Sequence, residues 1–390
     1  KPRILVNKKM IFSDLQPLVW GKLSKINKNN RVGSAYIFSG QKGSAKEWGA
    51  IEFAKLLNCE GKTDGICNDC SSCKKFRILQ HPNLKIIVPL PVNPKANKDS
   101  DPLDSLTKED YEYLTESLDR KSNDPFYKIS VPKARRITIN SIRDLRRSIH
   151  LKANSFGQKI ILIFDAHLLS EGMGESANAL LKILEEPPEN TTLILVADNK
   201  NALLPTVISR CQNIHFPNLS PDNVKSILIE KGINNQRAME MAMIANGDVH
   251  LAIDLGENND QNLLEDLEQI SKQLITVSVT GWREFINSLS MLAFRNPSQY
   301  KFKIYLLQLW FHHAYRIRMG GSSINGVERI EKSLCKFNER YPNANLIEIN
   351  KLLEDSIESL SRNFYTPLTL TNLLISIQTL LKGKQLEPVL

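Results

Sequence analysis

The sequence predicts an α/β domain on a parallel sheet followed by an all-helical region, and three stretches predict it. Ala35–Ser39 is a short apolar strand run, followed at once by the glycine loop Gly40-Gln41-Lys42-Gly43-Ser44-Ala45-Lys46-Glu47 and then by a helical run to about Leu57. Ile160–Phe164 is a second apolar run, and it ends in an acid, Asp165. From Pro217 the pattern is helical with short links. Strand, glycine loop and helix, in that order, are the context of a phosphate-binding P-loop. A strand ending in an acid is how a phosphate-and-magnesium site holds its metal.

A chain of 390 residues exceeds one ordinary core, so two or three domains are expected. Its 42% apolar and 24% charged residues are normal for a soluble globular protein. No apolar run of about 18 residues appears, which argues against a membrane span. The opening KPRILVNKKMIF has basic residues but no long apolar core, so it does not read as a signal peptide, and a cytoplasmic protein is expected. The net charge of +9 suits an acidic partner such as nucleic acid, and equally suits a mildly basic protein without one.

Residues 10–34 read as a helical approach segment with Leu15, Leu18, Leu23 and Ile26 as anchors. The loop that follows β-type Ala35–Ser39 departs from the working pattern G-x-x-x-x-G-K-[ST]. Gly40 and Lys46 fit it, but Ala45 replaces the glycine before the lysine and Glu47 replaces the magnesium-binding hydroxyl. Ala45 resists the backbone angles glycine allows, and a carboxylate at 47 repels phosphates. The loop therefore reads as a vestigial nucleotide site in preference to a working one, with a plain strand–turn–helix as the other alternative.

Four cysteines follow, Cys59 and then Cys67, Cys70 and Cys73, spaced C-x7-C-x2-C-x2-C. Four thiolates close a tetrahedral zinc site with no open position, so the metal would be structural. Four reduced thiols are the alternative. Cys211 and Cys335 stand alone and read as core thiols. His81 is a candidate fifth ligand, with a turn role preferred. Leu84–Pro89 reads as a strand. Residues 91–128, rich in Pro, Asn, Asp, Ser and Lys, read as a partly mobile surface insertion with a helical patch around Tyr111–Leu118.

Asn140 reads as an N-cap to a helix whose apolar face is Ile142, Leu145 and Ile149. Its other face carries Arg143, Arg146, Arg147 and Lys152, with Arg135 and Arg136 upstream. That face suits either a nucleic-acid backbone or solvent. Beside Asp165, where an active ATPase of this layout has a glutamate to orient water, stands Ala166. A helical run Ser176–Leu184, the turn Glu185-Glu186-Pro187-Pro188, a strand Leu193–Ala197 and the tripeptide Ser209-Arg210-Cys211 complete the region.

Ser220-Pro221 opens the first of three short helices, to about Lys231, about Asn235 to Ala245, and after Gly247-Asp248. Beyond, Leu263, Leu267, Ile270 and Leu274 share a face, and further helical runs cover about 281–295, 300–319, 346–362 and 367–382. His312-His313 lies inside one of these, with a structural role expected. The expected domains are 1–217, with the cysteine module at 59–73 and the insertion at 91–128; a three-helix lid at 218–258; and a helical domain at 259–390.

The loop GQKGSAKE after AYIFSG, the cysteine cluster after the first helix, ANALLKILEEPPE and SRC together resemble the bacterial clamp-loader subunits of the AAA+ class. The resemblance covers about residues 10–255, and the remainder matches only as a helical region of suitable length. It implies a RecA-like P-loop domain with a zinc module, a small helical lid and a C-terminal all-helical collar. It also implies a hetero-oligomer with tau/gamma motor and delta subunits, which places a sliding clamp on primed DNA. Arg210 resembles the family's arginine finger, given in trans to a neighbour's ATP. Cys59, Cys67, Cys70 and Cys73 match its zinc module, and Gly40, Gly43, Lys46 and Asp165 its nucleotide site. The motor keeps an intact loop, an acidic pair at this strand end and an arginine in the lid; Glu47, Ala166 and His250 stand there instead, so a member without ATPase activity is expected. The rival readings are an ATP-hydrolysing motor subunit and a zinc-dependent nucleic-acid-binding module.

Overall fold

The computed structural model describes residues 10–61, 65–92, 101–104, 106–150, 157–257, 263–276, 278–320, 328–361 and 365–386. The chain forms two compact units. One takes the described residues of Lys1–Ile233 with Ala245–Asp254; the other takes Asn234–Ile244 with those of Leu255–Leu390.

The first unit is built on five parallel strands: β1 (Ala35–Ser39), β2 (Leu84–Ile87), β3 (Lys159–Ile163), β4 (Thr191–Ala197) and β5 (Gln212–His215). Their order across the sheet is β2-β3-β4-β1-β5. Ile37 pairs with Leu195 on one side and Asn213 on the other, so β1 lies at the point where the strand order reverses. In such sheets ligands bind outside the carboxyl ends at that point. Every residue of β1 and β4 is buried. A sheet covered on both faces has no polar side to alternate with, which is why these strands read as continuous apolar runs.

On one face Ile37, Ile161, Ile163, Leu193 and Leu195 pack against Ile142, Leu145 and Ile149 of helix Ile139–Ile149 and Leu180 and Ile183 of helix Glu175–Glu185. On the other, aromatic rings fill the layer. Tyr36 meets Phe53 edge-on at 5.7 Å, and Phe38 lies 5.0 Å from Phe216. Phe53 belongs to helix Lys46–Leu57, which descends from the glycine loop.

Several elements differ from expectation. Thr138, not Asn140, caps helix Ile139–Ile149, its hydroxyl accepting from Ser141 N; the helix starts earlier because threonine supplies the same acceptor. The patch at Tyr111–Leu118 is the middle of a longer helix, Lys108–Asn123, capped by Thr107. Residues 93–100 and 105 of the expected insertion, and Lys152 of the expected basic face, lie outside the described residues. Short helices at Ser71–Arg77 and Pro205–Ile208 span too few turns to show a period. Glu328–Arg340 is a further helix, with Ile330, Leu334 and Phe337 carrying its period amid charges.

The second unit is helical. Helix Pro297–Arg318 packs against Leu263–Ile275, Val279–Arg295, Glu328–Arg340 and Leu346–Ser361, burying Leu307, Trp310, Phe311 and Ala314. His313 is buried there; burial, with His312 beside it, pushes its pKa down to about 4, and it is a neutral core residue. Among the described residues no helix is long and apolar enough to cross a membrane.

Candidate functional site

The glycine loop, Asp165 after β3 and Asp198 after β4 meet at the carboxyl edge of the sheet. The loop keeps the P-loop course. Ala45 adopts the left-handed conformation that glycine normally supplies, with φ 63° and ψ 23°. A single left-handed alanine costs about 1–2 kcal/mol, so Ala45 follows the loop's course against the resistance expected of it. Gly43 has φ 72°, and a Cβ there would fall 2.2 Å from Asp248 Oδ1. Only glycine lets the residues ahead of helix Val249–Glu257 close down on the loop, where Val249 N donates to Gly43 O.

What fills the loop is the chain itself. Lys46, which in a working loop reaches phosphate, turns back to donate to Gln41 O and Ser44 Oγ and pairs with Asp198 at 2.8 Å. Glu47, in the first turn of helix Lys46–Leu57, stands where a working loop has its magnesium-binding hydroxyl. It is paired with Lys121 Nζ at 2.5 Å. Lys121 is 2% exposed and donates also to Pro125 O and Tyr127 O. Lys128 Nζ lies 2.7 Å from Asp165 Oδ1 and 3.4 Å from Asp198 Oδ2. Both lysines come from the segment expected on the surface. Its helix is largely exposed, but Lys121 in the last turn is buried, as are Phe126 and Ile129 after it, and Lys128 is half-buried.

Burial opposes charge on Glu47, yet Lys121 and Lys128 outweigh it and hold its pKa below the usual value. Burial likewise opposes charge on Lys128, and Asp165, Asp198 and Glu47 raise it. At Asp198 burial works upward, but Lys46 and Lys128 bring the value down to about 2. A folded pKa below the unfolded one means the stabilisation is complete above about pH 4 and lost as pH falls through about 2. In acid titrations followed by circular dichroism, Asp198→Asn is therefore expected to be less stable than the parent at neutral pH and to lose less stability in that window. Equal acid sensitivity of the two would remove Asp198 as a source of it.

His250 is a neutral side chain where the motor subunit has an arginine. Burial pushes its pKa down to about 4 against the pull of Glu47, and its Nδ1 has no hydrogen-bond partner among the described residues. Ala166 is fully buried and brings no polar atom to Asp165. A magnesium–nucleotide does not fit these residues as they stand: the acid that would hold the metal is paired with an ammonium, and a carboxylate, itself paired with Lys121, replaces the magnesium-binding hydroxyl.

The cysteines do come together. The sulfurs of Cys59, Cys67, Cys70 and Cys73 all lie within 4.8 Å of one another, with Cys59–Cys67 at 3.5 Å and Cys67–Cys73 at 3.9 Å. Four thiolates about 2.3 Å from one zinc stand about 3.8 Å apart, so the set fits a tetrahedral ion. Cys67 N donates to Cys59 Sγ, Cys70 N to Cys67 Sγ and Cys73 N to Cys70 Sγ. Backbone donation from Cys70 and Asp69 lowers Cys67 to about 6, favouring the thiolate a metal needs. Gly61 is required by close approach, since a Cβ there would meet Cys67 Cβ at 2.7 Å. His81 is not a fifth ligand. Asn83 N donates to its Nδ1, its Nε2 meets Ser72 Oγ, and its ring stacks on Phe76 at 4.2 Å.

Arg210 lies away from both sites, after helix Pro205–Ile208 and before β5. Its guanidinium donates to Thr206 O at 3.0 Å and Glu185 Oε1 at 2.8 Å, and its side chain is 36% exposed. Cys211 beside it is half-buried, its thiol pushed up to about 12 by burial. Arg146 and Arg147 are exposed and Arg143 half-buried, so the basic face of that helix points outward.

A P-loop course at the switch point of a parallel sheet, with its acids paired to the chain's own lysines, defines a P-loop α/β protein whose nucleotide loop is altered. Comparison with known proteins narrows the class: the model described as DNA polymerase III, delta subunit, matches residues 15–220, more than half of the chain, and the chain belongs to that family. It is 27% identical over 315 residues to the DNA polymerase III subunit delta' of Bacillus subtilis, covering 79% of this chain and 80% of that one. It is 28% identical over 191 residues to the subunit tau of the same organism, covering 49% of this chain and 26% of that one, so the chain spans about a quarter of that relative. Among solved structures, a gamma subunit-related protein of Thermotoga maritima aligns over 92% of this chain and 99% of its own, at 15% identity and a TM-score of 0.33, too low to bear on the argument.

The sequence reading missed Asp198, Lys121 and Lys128. Asp198 was findable by the rule that found Asp165, an acid directly after a parallel strand. The lysines carried no signal, since they sit in a polar segment without a period.

Proposed function

We propose that this chain is the delta-prime type of clamp-loader subunit, a partner of tau/gamma and delta subunits in a hetero-oligomer that places the sliding clamp on primed DNA. It turns over no ATP itself. Its chemical part is Arg210, which reaches from the chain's surface to ATP bound by the neighbouring motor subunit and stabilises charge on the transferring phosphoryl group. The observation that carries this reading is the exposed guanidinium of Arg210, held among the described residues by Glu185 and Thr206 of its own chain. Its like-chain pairing is a surface contact that phosphate can displace. Zinc on Cys59, Cys67, Cys70 and Cys73 is structural, because four protein ligands leave no position for substrate. The domains read as a P-loop domain at 1–217, a lid at 218–258 and a collar at 259–390.

The test is reconstitution. The chain alone, given ATP and magnesium, is expected to release no phosphate. Added to tau/gamma and delta, it is expected to restore ATP-dependent placement of the clamp on a primed template. Phosphate release by the chain alone would favour the motor reading instead. Stable DNA binding by the chain alone, lost on chelation, would favour the nucleic-acid module.

A further inference from the structure

The pairing of three lysines with three carboxylates at the glycine loop has a direction. Lys46 belongs to the loop, but Lys121 and Lys128 arrive from helix Lys108–Asn123 and the turn after it. That segment is tied down on both sides. Its Asp124 pairs with Lys231 at the end of helix Pro221–Glu230, and Lys121 lies over the Phe164 ring with its nitrogen 5.9 Å from the centroid. Trp48, in the first turn of the loop helix, meets Phe126 edge-on at 5.4 Å. The ammonium of Lys128 touches the acid ending β3 and the acid following β4, the two carboxylates that face the loop. In a working site of this layout a divalent cation is the positive charge beside the strand-end acid.

We infer that residues 108–128 form a built-in plug of the loop, in which the Lys128 ammonium stands in for the divalent cation at Asp165 and Lys121 neutralises Glu47. The plug rests on the reading that the loop no longer turns over nucleotide and gives the reason. The site holds its negative charge against cations from the chain itself. Asp198 has Lys46 as a second counterion, but the half-buried Asp165 carboxylate is paired with Lys128, and leaving it without that counterion is unfavourable. Nucleotide and magnesium are thereby excluded by occupancy as well as by Glu47. The plug makes no use of Arg210, and a failure of one idea leaves the other standing.

The experiment removes the ammonium and asks for a cation. Lys128→Met in the full chain keeps the packed stem and deletes the charge. Its unfolding midpoint is measured with and without millimolar Mn2+ or Mg2+, beside the parent. The parent is expected to show no cation-dependent shift. Lys128→Met is expected to unfold at lower temperature and to regain a few degrees with the cation, since a ligand that binds only the folded form raises the midpoint. Adding Asp165→Asn to Lys128→Met is expected to abolish that response while recovering stability, because the acid needing a counterion is gone. A folded Lys128→Met with no cation response overturns the proposal, as does a parent that responds like the variant. If Lys128→Met does not fold, Lys128→Met with Asp165→Asn decides: recovery of folding supports the plug, and failure shows that Lys128 does something other than balance Asp165. Phosphate release by the parent would sink the vestigial reading itself, and is assayed separately.

Discussion

Arg210→Ala is expected to leave the chain folded and to lower hydrolysis at the neighbouring motor site by about 10³–10⁵-fold, the contribution of an arginine finger. The two effects separate because they depend on different surroundings. In the chain alone the guanidinium is 36% exposed and its partner Glu185 carboxylate 48% exposed. Exposed pairs of this kind contribute about 0–1 kcal/mol, so the unfolding midpoint is expected to move little. At a neighbour's phosphates the same group would act in a desolvated pocket against developing charge, where each hydrogen bond counts for far more. One arginine serves one site. Single-turnover hydrolysis by the reconstituted loader should therefore become biphasic, with the slow fraction equal to the share of that one site. Arg210→Lys is expected to behave much like the alanine variant, since an ammonium cannot make the forked contact to phosphate. Glu185→Ala is the control: it frees Arg210 from its resting partner and should leave the fast phase intact. A loader with Arg210→Ala whose every phase matches the parent would reduce Arg210 to a surface contact.

The difference between what the residues announced and what the fold does is sharpest at the glycine loop. Strand, loop and helix were legible because β1 is covered on both faces and because glycines at 40 and 43 punctuate the run. The nature of the fault was not legible. Ala45 looked like a backbone obstacle, yet it takes φ 63° and the loop keeps its course. Glu47 looked like a repulsive charge, yet it is neutralised by a lysine 74 residues away. A partner that distant leaves no trace in local spacing, and the segment bearing it is polar throughout. The cysteines are the opposite case. Three within one turn and a half of chain, and a fourth eight residues upstream, are close enough in sequence to be close in space. His81 shows the limit of that argument: nearness suggested a ligand, but both ring nitrogens are engaged by Asn83 and Ser72.

The purified chain is expected to carry one equivalent of zinc, and Cys70→Ser to lose it together with much of the order in residues 59–87. Structural zinc contributes about 10–16 kcal/mol in isolated finger peptides, where it is the whole fold. Here the ion would instead tie one corner of a larger core, so the loss should be local. Cys59 follows Asn58, whose side chain accepts from Asn83 Nδ2 and Gln158 N. Those two residues stand just before β2 and β3, at the amino edge of the sheet. Cys70 caps helix Ser71–Arg77, and Phe76 of that helix stacks on His81 at the turn into β2. Released from the metal, the helix and the β2 edge lose their anchor. β4, β1 and β5 do not: β4 and β1 pack on helices Ile139–Ile149 and Glu175–Glu185, Phe38 of β1 meets Phe216, and β5 pairs with β1. Hydrogen exchange read by peptide should therefore rise sharply across 59–87 and stay near the parent across 191–215. Since Arg210 lies within the second range, loader reconstituted with folded Cys70→Ser should keep its fast hydrolysis phase. Protection lost evenly over both ranges would mean that the ion holds the whole unit, and a protein with full protection and no metal would mean that the four thiols need none.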